Sequence, residues 1–198
     1  FRKIMDEKKI LLINLSKGRL GDINSRLLGL IIVGKLLMAA LSRADIPESE
    51  RNDFYLYIDE FQNVTTDSIA TILSEARKYK LNLTIAHQFI GQLEENIKKA
   101  VFGNVGSMGA FRVGAEDGEF LAKQFEPVFN AGDLLNTDNY RAYLKLLIEG
   151  QSSRPFNIAT LPFQKGDIDF GKEAALLSLA RYGRLRTQVE EEINKKFN

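Results

Sequence analysis

Asp59 and Glu60 are the residues whose type and position point most directly to chemistry. They follow Phe54-Tyr55-Leu56-Tyr57-Ile58 without a break, so two adjacent carboxylates stand at the exit of a short apolar run. A run that short and continuous suits a strand buried on both faces, as in a parallel sheet covered by helices. In such sheets ligands sit beyond the carboxyl ends of the strands, where a nucleotide and its magnesium would lie. The plainer reading is that an acidic pair ends a strand and caps the next helix. A second polar residue falls in a comparable place. Leu81–Ala86 reads as another buried strand, and it ends in His87-Gln88. Two adjacent parallel strands would set Gln88 beside Asp59 and Glu60. There an amide can sense a terminal phosphate or position a water, or it can simply satisfy a backbone group at a strand end.

The segment between these strands reads as the helix that connects them. Ile69, Ile72, Leu73 and Ala76 recur at i, i+3, i+4 and i+7 after Asp67-Ser68. The helix is expected to end near Arg77-Lys78-Tyr79, with cations in its last turn as the helix dipole favours. Upstream, Lys9–Leu15 reads as an apolar strand followed by a polar turn at residues 16–19, and Ile23–Arg43 as a long helix. Ala44–Asn52, with Pro47, is a surface connection. Downstream come a helix over about 91–101, a strand within Val105–Val113, a helix over Glu116–Gln124 and a short helical piece over Phe129–Leu135. Tyr140–Ile148 and Arg154–Ala159 form a hairpin pattern around Glu149-Gly150-Gln151-Ser152-Ser153, an antiparallel edge to the sheet. The alternation of strands and helices predicts an α/β fold with a mainly parallel sheet. Residues 1–160 form its body, 161–171 a linker containing Pro162 and Gly166, and 172–198 a terminal helical extension kinked at Gly183.

The strand-Asp-Glu pattern resembles the Walker B motif of P-loop ATPases, in which the Asp holds Mg²⁺ and the Glu orients and polarises the attacking water. Phe54–Leu93 as a whole, with Ile-Asp-Glu-Phe-Gln-Asn, Ser-Glu-Ala-Arg-Lys and Ala-His-Gln-Phe, resembles the TraD/TraG-type coupling ATPases of conjugation and type IV secretion. These belong to the wider HerA/FtsK group of DNA-pumping motors. The resemblance continues through Gly103-Asn104-Val105-Gly106, Phe111-Arg112-Val113-Gly114 and Glu116-Asp117, and covers most of residues 8–160. It implies a RecA-like P-loop NTPase core using ATP and Mg²⁺, with Asp59 and Glu60 as the Walker B pair and Gln88 as the sensor. It also implies that Arg77 is an arginine finger reaching the ATP site of the neighbouring subunit. The implied assembly is a homo-oligomeric, hexameric ring that moves single- or double-stranded DNA, working with a membrane secretion channel and relaxosome proteins. The implied location is the cytoplasm, at the inner face of the membrane through an N-terminal anchor that these residues do not contain.

A P-loop ATPase also needs Gly-x-x-x-x-Gly-Lys-Ser/Thr, whose backbone amides cradle the phosphates. Gly29-Leu30-Ile31-Ile32-Val33-Gly34-Lys35-Leu36 is a near match. It fails because Leu36 has no hydroxyl for magnesium and the intervening residues are bulky and apolar, so Leu27–Leu41 reads as a core helix. The expectation is therefore a motor core truncated before its Walker A motif. The apolar run 27–41 is shorter than the ~20 residues that span a bilayer and contains Lys35.

The 198 residues are 44% hydrophobic, enough for one domain with a real core. With no cysteine and one histidine, disulfide frameworks, cysteine-ligated zinc and multi-histidine metal sites are excluded. A formal charge of +1 does not announce nucleic-acid binding, although a motor needs positive charge only along its pore. Arg112 either faces a neighbour's nucleotide or pairs with Glu116 or Asp117. Arg181, Arg184 and Arg186 read as a solvated face balanced by residues 190–192 rather than a DNA contact, and His87 as a packed, hydrogen-bonded strand-end histidine. Lys17 and Arg19 lie on the nucleotide edge, as a subunit contact or only a turn. Two other functions fit the same pattern: a HerA-like repair translocase or protein-secretion ATPase, and a non-hydrolysing assembly module if no Walker A exists upstream.

Overall fold

The computed structural model describes residues 1–65, 67–167 and 169–197, with Asp67, Ser68 and Thr71 described by backbone alone. The chain divides into two compact units, Phe1–Thr160 and Leu161–Asn198. The first opens with α1 (Arg2–Asp6), α2 (Lys17–Leu20) and the long α3 (Asp22–Leu41), which tightens into a 3₁₀ turn over Ser42–Asp45. There follow β1 (Phe54–Ile58), α4 (Asp67–Glu75), β2 (Leu81–Ile85), α5 (Glu95–Asn104) and β3 (Met108–Ala110). The unit closes with α6 (Ala115–Phe125), α7 (Ala131–Leu135) and the strands β4 (Arg141–Lys145), β5 (Leu147–Ile148), β6 (Gln151–Ser152) and β7 (Phe156–Ala159).

β1 and β2 pair in parallel, with Phe54 opposite Leu81, Leu56 opposite Leu83 and Ile58 opposite Ile85. Because strand side chains alternate, these six residues share one face. That face packs on a core built by Val33, Leu36, Leu37 and Ala40 of α3, Ile69 and Ile72 of α4, and Ile97 and Val101 of α5. The expected stripe of α4 is the buried one, which is why the helix crosses back over the sheet and returns the chain parallel. The other face of β1 is open: Tyr55 is 60% and Tyr57 71% exposed. The apolar run therefore marks a strand covered on one face, not on both. An aromatic ring with a hydroxyl tolerates that exposure where Ile or Leu would not.

The other strands pair antiparallel, in two sheets separate from β1 and β2. β3, β4 and β7 form one ladder in the order β3-β4-β7, and β5 and β6 form the hairpin. Glu149 and Gly150 turn the hairpin with φ of 50° and 81°, the left-handed pair that a two-residue turn demands. A second core lies under this ladder, where α6 and α7 bring Leu121, Ala122, Phe125 and Leu134 against Ala110. The fold is thus α/β, and among the described residues the parallel pairing is confined to β1 and β2. The strand expected within 105–113 pairs antiparallel with β4 rather than extending the parallel ladder.

Other expectations fall differently. Lys9–Leu15 forms no strand: Ile10 is 89% and Leu12 88% exposed, and no ladder partner receives them among the described residues. A strand exists only through its neighbour, so apolar alternation alone cannot make one. Residues 17–20 form a helical turn instead of an open loop. α3 runs for 20 residues, longer than its apolar stretch. By length and composition alone, the helix and its 3₁₀ extension to Asp45 are enough to cross a membrane. Its buried Val33, Leu36, Leu37, Ala39 and Ala40 belong to the α/β core.

The second unit holds two helices, α8 (Gly171–Tyr182) and α9 (Arg186–Phe197), where one kinked helix was expected. α8 ends where Gly183 turns extended, φ −72° and ψ 153°, and a Cβ there would lie 2.4 Å from the Leu179 carbonyl oxygen, so the position suits only glycine. Arg186 pairs with Glu190 at 2.6 Å, and Arg184 pairs with Glu192. This is the balanced, solvated face read from the sequence.

Candidate active site

The site begins where β1 stops. Asp59 is exposed and Glu60 half-buried. Glu60 adopts the left-handed conformation, φ 50° and ψ 45°, which costs a non-glycine residue about 1–3 kcal/mol. Hydrogen bonds on both sides hold it there. Asp59 Oδ1 accepts the Glu60 N–H at 2.9 Å, and the Asn63 N–H donates to the Glu60 carbonyl at 2.9 Å. The Ala86 N–H donates to Ile58 O and the Phe61 N–H to Ala86 O, each at 2.9 Å. The exits of β1 and β2 are therefore laced together, and the strained turn carries the Glu60 side chain across to β2.

There it meets Gln88. Gln88 Nε2 donates to Glu60 Oε1 at 2.6 Å, and Gln62 Nε2 donates to Glu60 Oε2 at 2.7 Å. Both oxygens of one carboxylate are oriented by amides from different segments. Gln62 was not singled out from the sequence; its signal was its place directly after Asp-Glu-Phe. Asp59 keeps a carboxylate oxygen clear of the turn and open to solvent. No cluster of three potential metal-ligating side chains occurs among the described residues. That donor set fits Mg²⁺, which is commonly held by one or two carboxylates plus waters and substrate phosphates rather than by an all-protein cage.

Asp59, Glu60 and Gln88 line a cleft of about 750 Å³. Its floor is Leu56, Ile58, Ile32, Val33 and Leu36, and its rim includes Asn14, Ser16, Lys17, Asp59, Glu60, Asn63 and Gln88. Lys17 Nζ donates to Asn63 Oδ1 at 3.0 Å and pairs with Asp22 at 2.9 Å. The lysine thus ties α2 to the turn after Glu60. Arg19 is exposed. The Gly29–Leu36 run lies inside α3; Gly29, Ile32, Val33 and Leu36 line the cleft, while Ile31 and Lys35 are exposed. A Cβ on Gly29 would stand 2.4 Å from Val64 Cγ1, so this glycine serves close packing and not a phosphate loop.

Arg77 and Arg112 lie apart from Glu60's hydrogen bonds. Arg77 sits in a 3₁₀ turn, Ala76–Tyr79, that closes α4; its side chain is exposed and has no polar partner among the described residues. Arg112 is exposed and reaches Asn139 Oδ1 at 3.4 Å. It pairs with neither Glu116 nor Asp117; Asp117 Oδ2 instead accepts the Ile90 N–H at 3.1 Å. Arg112 lines a second cavity, of about 560 Å³, between residues 85–90 beyond β2 and residues 107–114 around β3. Among the described residues β2 and β3 each pair along one edge, and Gln88 lines both cavities. His87 lines the second cavity and has no side-chain hydrogen bond among the described residues, contrary to expectation. Burial lowers its pKa, while Asp117 opposes the shift.

Residues 53–123 match the family model described as the TraM recognition site of TraD and TraG. Solved structures add a likeness of fold. The bacterial conjugative coupling protein TrwBdeltaN70, in its unbound monoclinic form, matches with a TM-score of 0.56 at 16% identity over 67% of this chain. The plasmid coupling protein TrwB in complex with the non-hydrolysable GTP analogue GDPNP matches with a TM-score of 0.55, also at 16% identity over 67% of this chain. The chain spans 36% of the length of each. No curated protein matches the sequence.

Proposed function

We propose that the chain is the Walker B, sensor and arginine-finger part of a ring-shaped, ATP-driven DNA translocase of the coupling-protein type, a reading supported by the match of residues 53–123 to the model described as the TraM recognition site of TraD and TraG. The observation that carries this reading is the Gln88–Glu60 hydrogen bond at the joined exits of two parallel strands. Asp59 is the magnesium ligand, through its open carboxylate oxygen. Glu60, aimed by Gln62 and Gln88, orients the attacking water and receives its proton. Gln88, which borders both cavities, reads the terminal phosphate. Arg77, exposed and without a polar partner among the described residues, serves the nucleotide of the next subunit, and Arg112 contacts nucleotide from the second cavity. Magnesium and ATP supply the charge neutralisation and the phosphoryl group; the protein supplies positioning and fixed charge. The complex of the similar TrwB with GDPNP supports nucleotide as the ligand.

The slot between β2 and β3 supports the same reading. Two open strand edges face an apolar cavity that an added strand would fill, and a phosphate-binding loop leaving that strand would emerge beside Glu60 and Gln88. The description of the matched model, a TraM recognition site, supports a protein partner of the relaxosome kind; a hexameric ring, DNA, a secretion channel and the cytoplasmic face of the inner membrane complete the proposed setting. The test is Glu60→Gln in the longer protein that carries this chain. ATP turnover should fall by ~10²-fold or more, as for positioned general bases, while nucleotide binding measured by a fluorescent analogue persists. Loss of binding with an unchanged rate per bound nucleotide would show that Glu60 does not act on the attacking water.

A further inference from the structure

The turn that carries Arg77 is held by two other arginines, and we propose that Arg51 is a positioning residue for the arginine delivered to the neighbouring site. This rests on the proposed role of Arg77 as the arginine that serves the next subunit.

A helix end leaves carbonyl oxygens without partners. At the end of α4 those partners come from distant guanidinium groups. Arg51 Nη1 donates to Lys78 O at 2.5 Å, and Arg43 Nη1 donates to Tyr79 O at 2.9 Å. The Phe54 N–H donates to Lys80 O at 2.8 Å, and the Lys80 N–H returns to Arg77 O at 3.0 Å. The carbonyls of residues 77–80 are thus all engaged, while the Arg77 side chain is left exposed. Arg51 is fixed in turn at its other end. Its Nη2 donates to Ile46 O at 2.8 Å, its Nε to Arg43 O at 2.9 Å, and its guanidinium lies 5.3 Å from the centre of the Tyr79 ring. The planar fork of arginine makes these contacts at once, which the single ammonium of lysine does not. Arg51 therefore ties the turn after α3 to the turn after α4. The Arg77 backbone is referenced to the body of the domain rather than to a fraying helix end. A long side chain crossing a subunit boundary needs such a fixed root, since a displacement near 1 Å costs about 10²-fold in rate.

The test uses the assembled longer protein with Arg51→Ala and Arg51→Lys. Both should form rings and bind nucleotide, with kcat lowered about 10-fold to 10²-fold and KM little changed. Mixed rings then separate positioning from mere stability. Arg51→Ala subunits combined with Glu60→Gln subunits should recover activity, because the latter supply a well-placed Arg77 to an intact Glu60. Arg51→Ala combined with Arg77→Ala should stay inactive. The reverse pattern would show that Arg51 serves its own subunit's site, and unchanged kcat in folded Arg51→Lys rings would end the proposal. The control is Arg77→Ala with Glu60→Gln. If that pair fails to recover in rings shown to be mixed, the trans role of Arg77 falls, and the positioning role of Arg51 falls with it. Recovery in the control together with an inactive Arg51→Ala/Glu60→Gln mixture overturns the role of Arg51 alone.

Discussion

Gln88 and Glu60, which leave different strands, share a hydrogen bond of 2.6 Å, Nε2 to Oε1, across the exits of β1 and β2. The parallel register sets this distance. Ile58 stands opposite Ile85, so the residues just beyond each strand must emerge side by side. The left-handed turn at Glu60 then brings the carboxylate across to the amide.

Removal of that amide should therefore be felt in the chemical step. Gln88→Ala leaves Glu60 oriented by Gln62 alone, through the 2.7 Å contact. In the longer protein, kcat should fall by about 10²-fold, the scale of losing one preorganised donor. Steady-state turnover and nucleotide binding measured together check this. Unchanged turnover would make Gln88 a strand-end residue only.

Gly29 is a packing glycine. Gly29→Ala places a methyl group against Val64 and within 3.3 Å of Leu15 Cδ1. Overpacking costs about 1–3 kcal/mol and the gain in helix propensity returns about 1 kcal/mol, so a modest loss of stability is expected. Urea unfolding of the chain reads it directly. A variant as stable as the parent would show that Val64 moves aside freely.

Arg43 is fully buried. It donates to Asn52 O at 2.5 Å and to Tyr79 O at 2.9 Å, and its Nε lies 3.2 Å from Asp6 Oδ1. Arg43→Ala strands two carbonyls and empties a large side-chain volume, a loss of roughly 3–5 kcal/mol. Arg43→Lys should recover only part of it, because one ammonium cannot reach all three partners. Thermal unfolding of both variants is the measurement, and equal stability of the two would remove the fork from the explanation.

His87 makes acid a destabilising condition. Burial holds its folded pKa below the ordinary value of about 6.5, with Asp117 opposing the shift. The unfolded chain therefore binds the proton more readily. The contribution is fully present above about pH 6.5 and is lost as pH falls through the lower folded value. Tm should drop between about pH 7.5 and 5.5, and His87→Gln should flatten part of that slope. An unaltered slope in the variant would exclude His87 as its source.

Local pattern was enough for β1, α4 and β2 and for their order. Their apolar spacing depends on side chains already adjacent in the chain, and burial of Ile69, Ile72 and Leu81 follows from it. The chemical types at the strand exits, Asp59, Glu60 and Gln88, were legible for the same reason. Three things depended on the tertiary arrangement. Lys9–Leu15 has the composition of a strand but no neighbour to pair with among the described residues, because ladder bonds come from another segment. Tyr55 and Tyr57 lie on a face whose cover is a property of packing, which an apolar run does not encode. Gln62 joins Glu60, and Arg43 and Arg51 brace the Arg77 turn, through contacts that only the folded backbone brings within reach. Sequence determines which side chains are available at each element's end. Long-range register and packing determine which of them meet.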